Sequence, residues 1–267
     1  MNIMGSSFQV FGIKTKILVP GDDISQIIVD NAKATVGLGG IADGDIVVLA
    51  ESALSTTEGG IVTLSEVTPS KKALEYADKY HIDARLAEVV ISESDRIIGG
   101  IPGFLLCLKN GTLLPNAGID ASNAPAGKVV KLPKDPDASA KRVREEIMRL
   151  TGKKTGVLVI DSRTHAMRLG CSGIAIGCCG LDAITDERGK RDLYGHELEV
   201  TRRAIGDNIA SAAELVLGES NECTPVAIVR GLSQFLSENC GIESIEPSEC
   251  LFMGTAMNAD SSLFNRK

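Results

Sequence analysis

Apolar and polar positions change rhythm in blocks along the chain, and the blocks read in turn as strands and helices. The run GDIVVLAES (44–52) follows a turn signal and is apolar through its middle. It predicts a short buried strand broken at Glu51 and Ser52. TGVLVID (155–161) and TPVAIVRG (224–231) carry the same signature of a buried strand. TPSKKALEYADKY (68–80) predicts a helix with Thr68 as N-cap and Pro69 at the first helical position. Residues 83–97 predict a second helix through Leu86, Val89, Val90 and Ile97. The clearest helical period lies at 137–154, where Val143, Ile147 and Leu150 share one face and a basic turn closes around Gly152. GDNIASAAELVL (206–217) predicts another helix, ended by Gly218. No repeat and no linker interrupts the chain. The pattern therefore predicts an α+β fold, mixed sheets with packed helices in a single integrated unit.

Composition narrows the function classes. The chain has 267 residues, 43% of them hydrophobic, which is enough for a substantial core. Trp is absent and aromatics are 3%, so stacking platforms for single-stranded nucleic acid are not expected. A net charge of −7 opposes broad binding to phosphate backbones. No apolar run reaches membrane-spanning length, and MNIMGSSFQV lacks a charged region followed by an apolar one. The expectation is a cytoplasmic protein that binds neither nucleic acid nor membrane. The seven cysteines (Cys107, Cys171, Cys178, Cys179, Cys223, Cys240, Cys250) show no C-x-x-C spacing, and His81, His165 and His196 are scattered. Reduced thiols used as small packing residues are the expected reading.

Candidate chemistry sits at strand ends and small-residue turns. VLVID places Asp161 at the end of a buried strand, where a sheet opens to ligands; a local cap or turn is the competing account. Asp120 lies in NAGIDASN (116–123), where an Asx-turn with Asn123 competes with a ligand role. Taken together, Asp120, Asp161, Ser162 and Asn123 supply hard oxygen donors for Mg²⁺ or Mn²⁺. LGESNECTP (217–225) exposes backbone amides that could wrap a nucleotide, but it lacks Walker spacing. IKTKILVPGDD (13–23) and DERGKRDLYGHELEVT (186–201) fit a phosphate-handling site, but by composition they read first as solvated surface. The apolar run GIAIGCCGL (173–181) suits either a subunit interface or an internal strand.

The motifs NAGIDASN, DPD-x-SA with its helix and TGKK, VID, GIAIGCCG, RGKRDLYGHELEVT, LGES and TPVAIVRG occur together and in this order. The chain thereby resembles the coenzyme F-420:L-glutamate ligase family from about Gly12 to Leu232, leaving 233–267 as an extension without a readable motif. The resemblance implies an intertwined homodimer of unusual α+β fold. It also implies a ligase that adds L-glutamate to the deazaflavin precursor F-420-0 through an acyl phosphate, with GTP cleaved to GDP and phosphate. Divalent metal and K⁺ are the implied cofactors. Asp120, Asp161 and Ser162 are the implied metal ligands. Thr15, Lys16, Ile17, Leu18, Glu51, Ser52, Asn123 and the turn Val216, Leu217, Gly218, Glu219, Ser220, Asn221, Glu222 and Cys223 are the implied nucleotide contacts.

Two departures mark this chain. Thr56 stands where the family carries a nucleotide-contacting lysine, and Ser162, Arg163, Thr164 and His165 replace the usual T-x-G-R after the acid. Arg163 is accordingly the candidate catalytic cation. A non-catalytic or re-specialised deazaflavin- or nucleotide-binding paralogue is the alternative that Thr56 favours.

Overall fold

The computed structural model describes residues 7–258, so the outermost chain at both ends (1–6 and 259–267) lies outside the described residues. Contacts divide the chain into two compact units, one from the segments up to Glu66 and Gly118–Ile242, the other from Val67–Ala117 and the chain after Ile242. This corrects the expected single integrated unit. The excursion leaves and rejoins the chain without any Pro- or Gly-rich linker, so composition carries no trace of it.

The larger unit is built on a six-stranded sheet. Its strands are β1 (Gln9–Ile13), β2 (Ile46–Ala50), β8 (Gly156–Thr164), β9 (Cys171–Leu181), β12 (Val226–Arg230) and β13 (Leu236–Cys240), ordered β1-β12-β2-β8-β9-β13. Only β2 and β8 run parallel; every other neighbour pair is antiparallel. Continuous apolar sequence in β2, β8 and β12 reflects burial on both faces. On one face Val157 and Val159 pack with α1 (Ile24–Ala34) and α5 (Pro136–Thr151) through Ile28, Val143 and Ile147. On the other, Leu158 and Ile160 pack with α6 (Ile205–Leu217) through Ile209, Ala210 and Ala213. The turn into β2 is locked by Asp45, 1% exposed, which accepts from Arg230 Nε at 2.8 Å and Nη2 at 2.7 Å.

The start of the longest helix follows cap chemistry rather than the first periodic residue. α5 begins at Pro136 because Asp135 accepts from Ala138 N at 2.9 Å, and it ends at Gly152 with φ 70. α6 ends at Gly218 as expected. The β2 strand ends where the break at Glu51 and Ser52 was expected, and a seven-residue helix that was not expected, α2 (Glu51–Thr57), begins there.

The smaller unit holds α3 (Lys71–Tyr80), α4 (Ala84–Glu93), α7 (Leu251–Asn258) and a three-stranded sheet of β4 (Arg96–Ile101), β5 (Phe104–Lys109) and β6 (Thr112–Pro115). Here α3 starts after Ser70, which accepts from Ala73 N, so Thr68 and Pro69 precede the helix. Ile97 belongs to β4, not to a helix. Ser94 Oγ donates back to the Val90 carbonyl at 2.5 Å and α4 stops there.

One open alternative narrows and one expectation changes. GIAIGCCGL lies in β9, an interior strand paired along its length with β8 and, at its C-terminal end through Cys179 and Leu181, with β13. Cys179 on β9 and Cys240 on β13 are register partners joined as a disulfide, so five of the seven cysteines are free thiols.

Candidate functional site

Parallel pairing of β2 with β8 sets the geometry. Ala50 is the register partner of Ile160, so the residues that follow, Glu51 and Asp161, emerge side by side at the carboxyl ends of the two strands. Chain direction then diverges: β2 turns into α2, while β8 runs on to Thr164. Asp120 is brought to the same end by a backbone bridge, donating from its N to the Val130 carbonyl at 2.9 Å and accepting from Val130 N at 2.8 Å. Val130 lies in β7 (Lys128–Val130), which pairs with β3 (Ile61–Thr63) just after α2.

These three acids feel one another. Glu51 is 9% exposed, and burial, then the charge of Asp161 and to a smaller extent Asp120, push its carboxyl up to about 8. Burial also raises Asp161; Arg163 opposes that shift and Asp120 reinforces it. Asp161 Oδ2 accepts from Arg163 Nε at 3.1 Å, within a strand stretch where the arginine is 7% exposed. Asp120 accepts from Ser122 N at 2.7 Å and from Ser122 Oγ at 2.6 Å. The Asx-turn is therefore present, with Ser122 as its partner, and Asn123 follows in the left-handed region at φ 50.

The turn after α6 approaches from the other face of β8. Ser162 Oγ donates to Glu219 Oε2 at 3.2 Å. Glu214, a residue the sequence reading passed over, is raised to about 7 by burial and by its carboxyl–carboxylate contact with Glu219. Its Oε1 is sealed from solvent without a hydrogen-bond partner. The signal was a lone acid in the last two turns of an otherwise apolar helix. Gly218 lies at φ 73 with the Glu222 carboxylate where a Cβ would stand, and Ser220 N donates to Glu222 Oε2 at 2.8 Å. Leu217 is buried in the core, so only its backbone is open to a ligand. Val216 and Asn221 are exposed.

The segment after β1 reaches this turn directly, because Thr15 N donates to the Cys223 carbonyl at 2.8 Å. Gly12 permits the approach: a Cβ there would stand 2.8 Å from Thr224 Cγ2 and 3.2 Å from the Val216 carbonyl oxygen. Lys16 Nζ is paired with Asp22 at 2.6 Å, Ile17 is 80% exposed, and Leu18 packs against the core. Ser52 follows Glu51 in the first turn of α2, whereas Thr56 lies five residues on, about 7.5 Å further along the axis. An open cleft of about 610 Å³ lies between the start of α1 and α5, away from the acids, and its Arg142 and Arg149 are already paired with Glu58 and Glu146.

Among the described residues no three acids, histidines or cysteines are drawn together as a ready coordination set. The electrostatic coupling acts over a longer range than ligand bonds. Both Asp120 oxygens already accept from Ser122, whereas Asp161 meets Arg163 through Oδ2 alone. The donor set itself is all oxygen, and a divalent cation would offset both the burial and the neighbouring charge that raise Glu51, so the residues suit a hard ion of the Mg²⁺ type.

The family model described as F420-0:Gamma-glutamyl ligase matches residues 12–231. A Methanopyrus kandleri protein named coenzyme F420:L-glutamate ligase is 40% identical over 214 residues, 80% of this chain and 82% of that protein. A Methanocaldococcus jannaschii protein of the same name is 38% identical over 242 residues, 90% of this chain and 94% of its own. One from Archaeoglobus fulgidus is 38% identical over 226 residues. No helix among the described residues is long and apolar enough to cross a membrane. Since the matched span contains every residue gathered at the ends of β2 and β8, and these relatives align along most of their own length, the chain belongs to the F420-0:gamma-glutamyl ligase family.

Proposed function

We propose that the protein is a GTP- and divalent-metal-dependent ligase that adds L-glutamate to the deazaflavin precursor F-420-0. The observation that carries this reading is the register of Ala50 with Ile160, which sets Glu51 and Asp161 side by side at the strand ends, with Asp120 electrostatically coupled to both. Two acids at adjacent strand ends, within electrostatic range of a third, repel one another, and that arrangement suits cation–phosphate chemistry better than core packing. Asp120 and Asp161, with Glu51 beside them, would hold Mg²⁺ or Mn²⁺, while the expected third ligand, Ser162, lies on the other side of β8 against Glu219. When bound, the metal would neutralise charge on the triphosphate and on the phosphoryl group in transfer. Thr15 to Leu18, Ser52, Asn123 and the 216–223 turn would line the nucleotide.

A carboxylate is a poor acyl donor, so the chemistry needs activation. An oxygen of the precursor's carboxylate attacks the γ-phosphorus, the bond to the β-phosphate oxygen breaks, and GDP leaves. The amine of glutamate, having lost a proton, then attacks the acyl carbon; phosphate leaves and an amide remains. The protein's part is to hold the three reactants close. The reading also includes K⁺ stimulation, a homodimer and a cytoplasmic location. Light scattering tests the dimer, and a monomer at micromolar concentration would remove it. The central experiment incubates the protein with precursor, L-glutamate, GTP and Mn²⁺ and measures mass. Each added glutamate supports the ligase; unchanged precursor, with GTP intact, sinks it.

A further inference from the structure

Arg163 is 7% exposed, yet its guanidinium spends one donor of five on the protein, Nε to Asp161 Oδ2 at 3.1 Å. Its Nη1 and Nη2 groups meet no acceptor among the described residues. The described side-chain atoms that are both sealed and unpartnered are Thr155 Oγ1 and Glu214 Oε1, so the Nη groups retain access to solvent. The stem is buried and the forked tip is open. Asp161 and Arg163 are two residues apart on β8 and share a side, and the Nε contact holds the guanidinium beside Asp161 at the end of the sheet where Glu51 also emerges. A buried guanidinium with two idle donor groups is matched by an oxyanion, because the fork fits a carboxylate or phosphoryl group bidentately. Pairing with Asp161 explains the charge of this residue but not the idle fork.

The geometry points to Arg163 as a catalytic residue that takes an oxyanion of substrate on Nη1 and Nη2 while Nε stays on Asp161. The inference rests on the ligase reading for its choice of substrates. Two groups share the required chemistry, the γ-phosphoryl of the nucleotide and the carboxylate of the precursor.

The test titrates the full chain with GTP, GDP and the deazaflavin precursor by calorimetry in Mn²⁺, for wild type, Arg163→Met and Arg163→Lys. Arg163→Met is expected to weaken at least one ligand tenfold or more. A loss for GTP but not GDP assigns the γ-phosphoryl group, and a loss for the precursor assigns its carboxylate. Arg163→Lys keeps a cation beside Asp161 and so guards the fold; without the fork it is expected to lose threefold or more, and it decides the matter if the Met variant does not fold. Mn²⁺ alone, followed by electron paramagnetic resonance, should bind Arg163→Met no more weakly than wild type, since a positive charge has left the neighbourhood. The inference is overturned if every ligand binds the folded variants within twofold of wild type, or if Mn²⁺ affinity falls in step with the anion. A wild type that binds GTP but adds no glutamate defeats the ligase reading while the binding series still judges Arg163. A wild type that binds none of the ligands defeats both.

Discussion

Replacing Glu51 by Gln should flatten the pH dependence of stability in the metal-free protein. Glu51 moves from an ordinary value of 4.5 to about 8 in the folded chain, chiefly through burial and then through the charge of Asp161. The folded pKa of an acid is raised, so between about pH 4.5 and 8 the native state holds more protons than the unfolded one. Stability from this group is full below pH 4.5, declines as pH rises through the window, and levels off above about 8. The shift of 8 − 4.5 = 3.5 pH units sets a ceiling of about 5 kcal/mol at about 1.4 kcal/mol per unit. Rearrangement of Asp161 and Asp120 will reduce it to a few kcal/mol. Gln has nearly the same shape and no charge to desolvate, so it removes this contribution. Urea unfolding in chelator at pH 5, 6.5 and 8 measures it: the wild type should lose ground against Glu51→Gln at each step. Parallel stability curves for the two proteins across that range would refute the buried, coupled carboxyl.

Asp120→Asn and Asp161→Asn should each reduce glutamate addition to background with circular dichroism unchanged; near-normal turnover at saturating metal would take that residue out of the site. Thr56→Lys should tighten GTP binding several-fold in calorimetry if the C-terminal end of α2 lies beside the triphosphate, and no change would mean that the triphosphate lies elsewhere. Ile176→Asp should cost ~3 kcal/mol in denaturant melts, because Ile176 packs on the core of the larger unit. A variant that instead keeps its stability and only changes oligomeric state would restore the interface reading of GIAIGCCGL.

Much of the larger unit was legible because its elements obey local rules. β2, β8 and β12 are continuous apolar runs, and α5 and α6 carry their own stops at Gly152 and Gly218. α2 was not legible: seven residues rich in Ser and Thr have little helical propensity, and neighbouring structure imposes the helix. The ribbon of β10 (Ile184–Asp186) and β11 (Arg202–Ala204) has no alternating pattern. Ion pairs such as Asp186 with Arg188 and Glu187 with Arg203 tie it to itself. Cys179 and Cys240 are 61 residues apart, and only strand order brings them together. For the site, motif positions marked Asp120 and Asp161 but not why they meet. That depends on the register of two strands more than a hundred residues apart, which no local pattern encodes. Glu214 was hidden by the apolar helix around it.

The alternation of β8 makes one strand serve two neighbourhoods at once. Asp161 and Arg163 belong to one side, Ser162 to the other, where Glu219 waits. A single-residue deletion upstream in β8 would therefore exchange these roles wholesale, turning Ser162 toward the acids and Asp161 toward the 216–223 turn, even with every side chain retained. Drift in the identity of the aliphatic residues between Val157 and Ile160 leaves the arrangement standing; drift in their number does not. In this chain the length of a buried strand is as much a part of the site as any residue at its end.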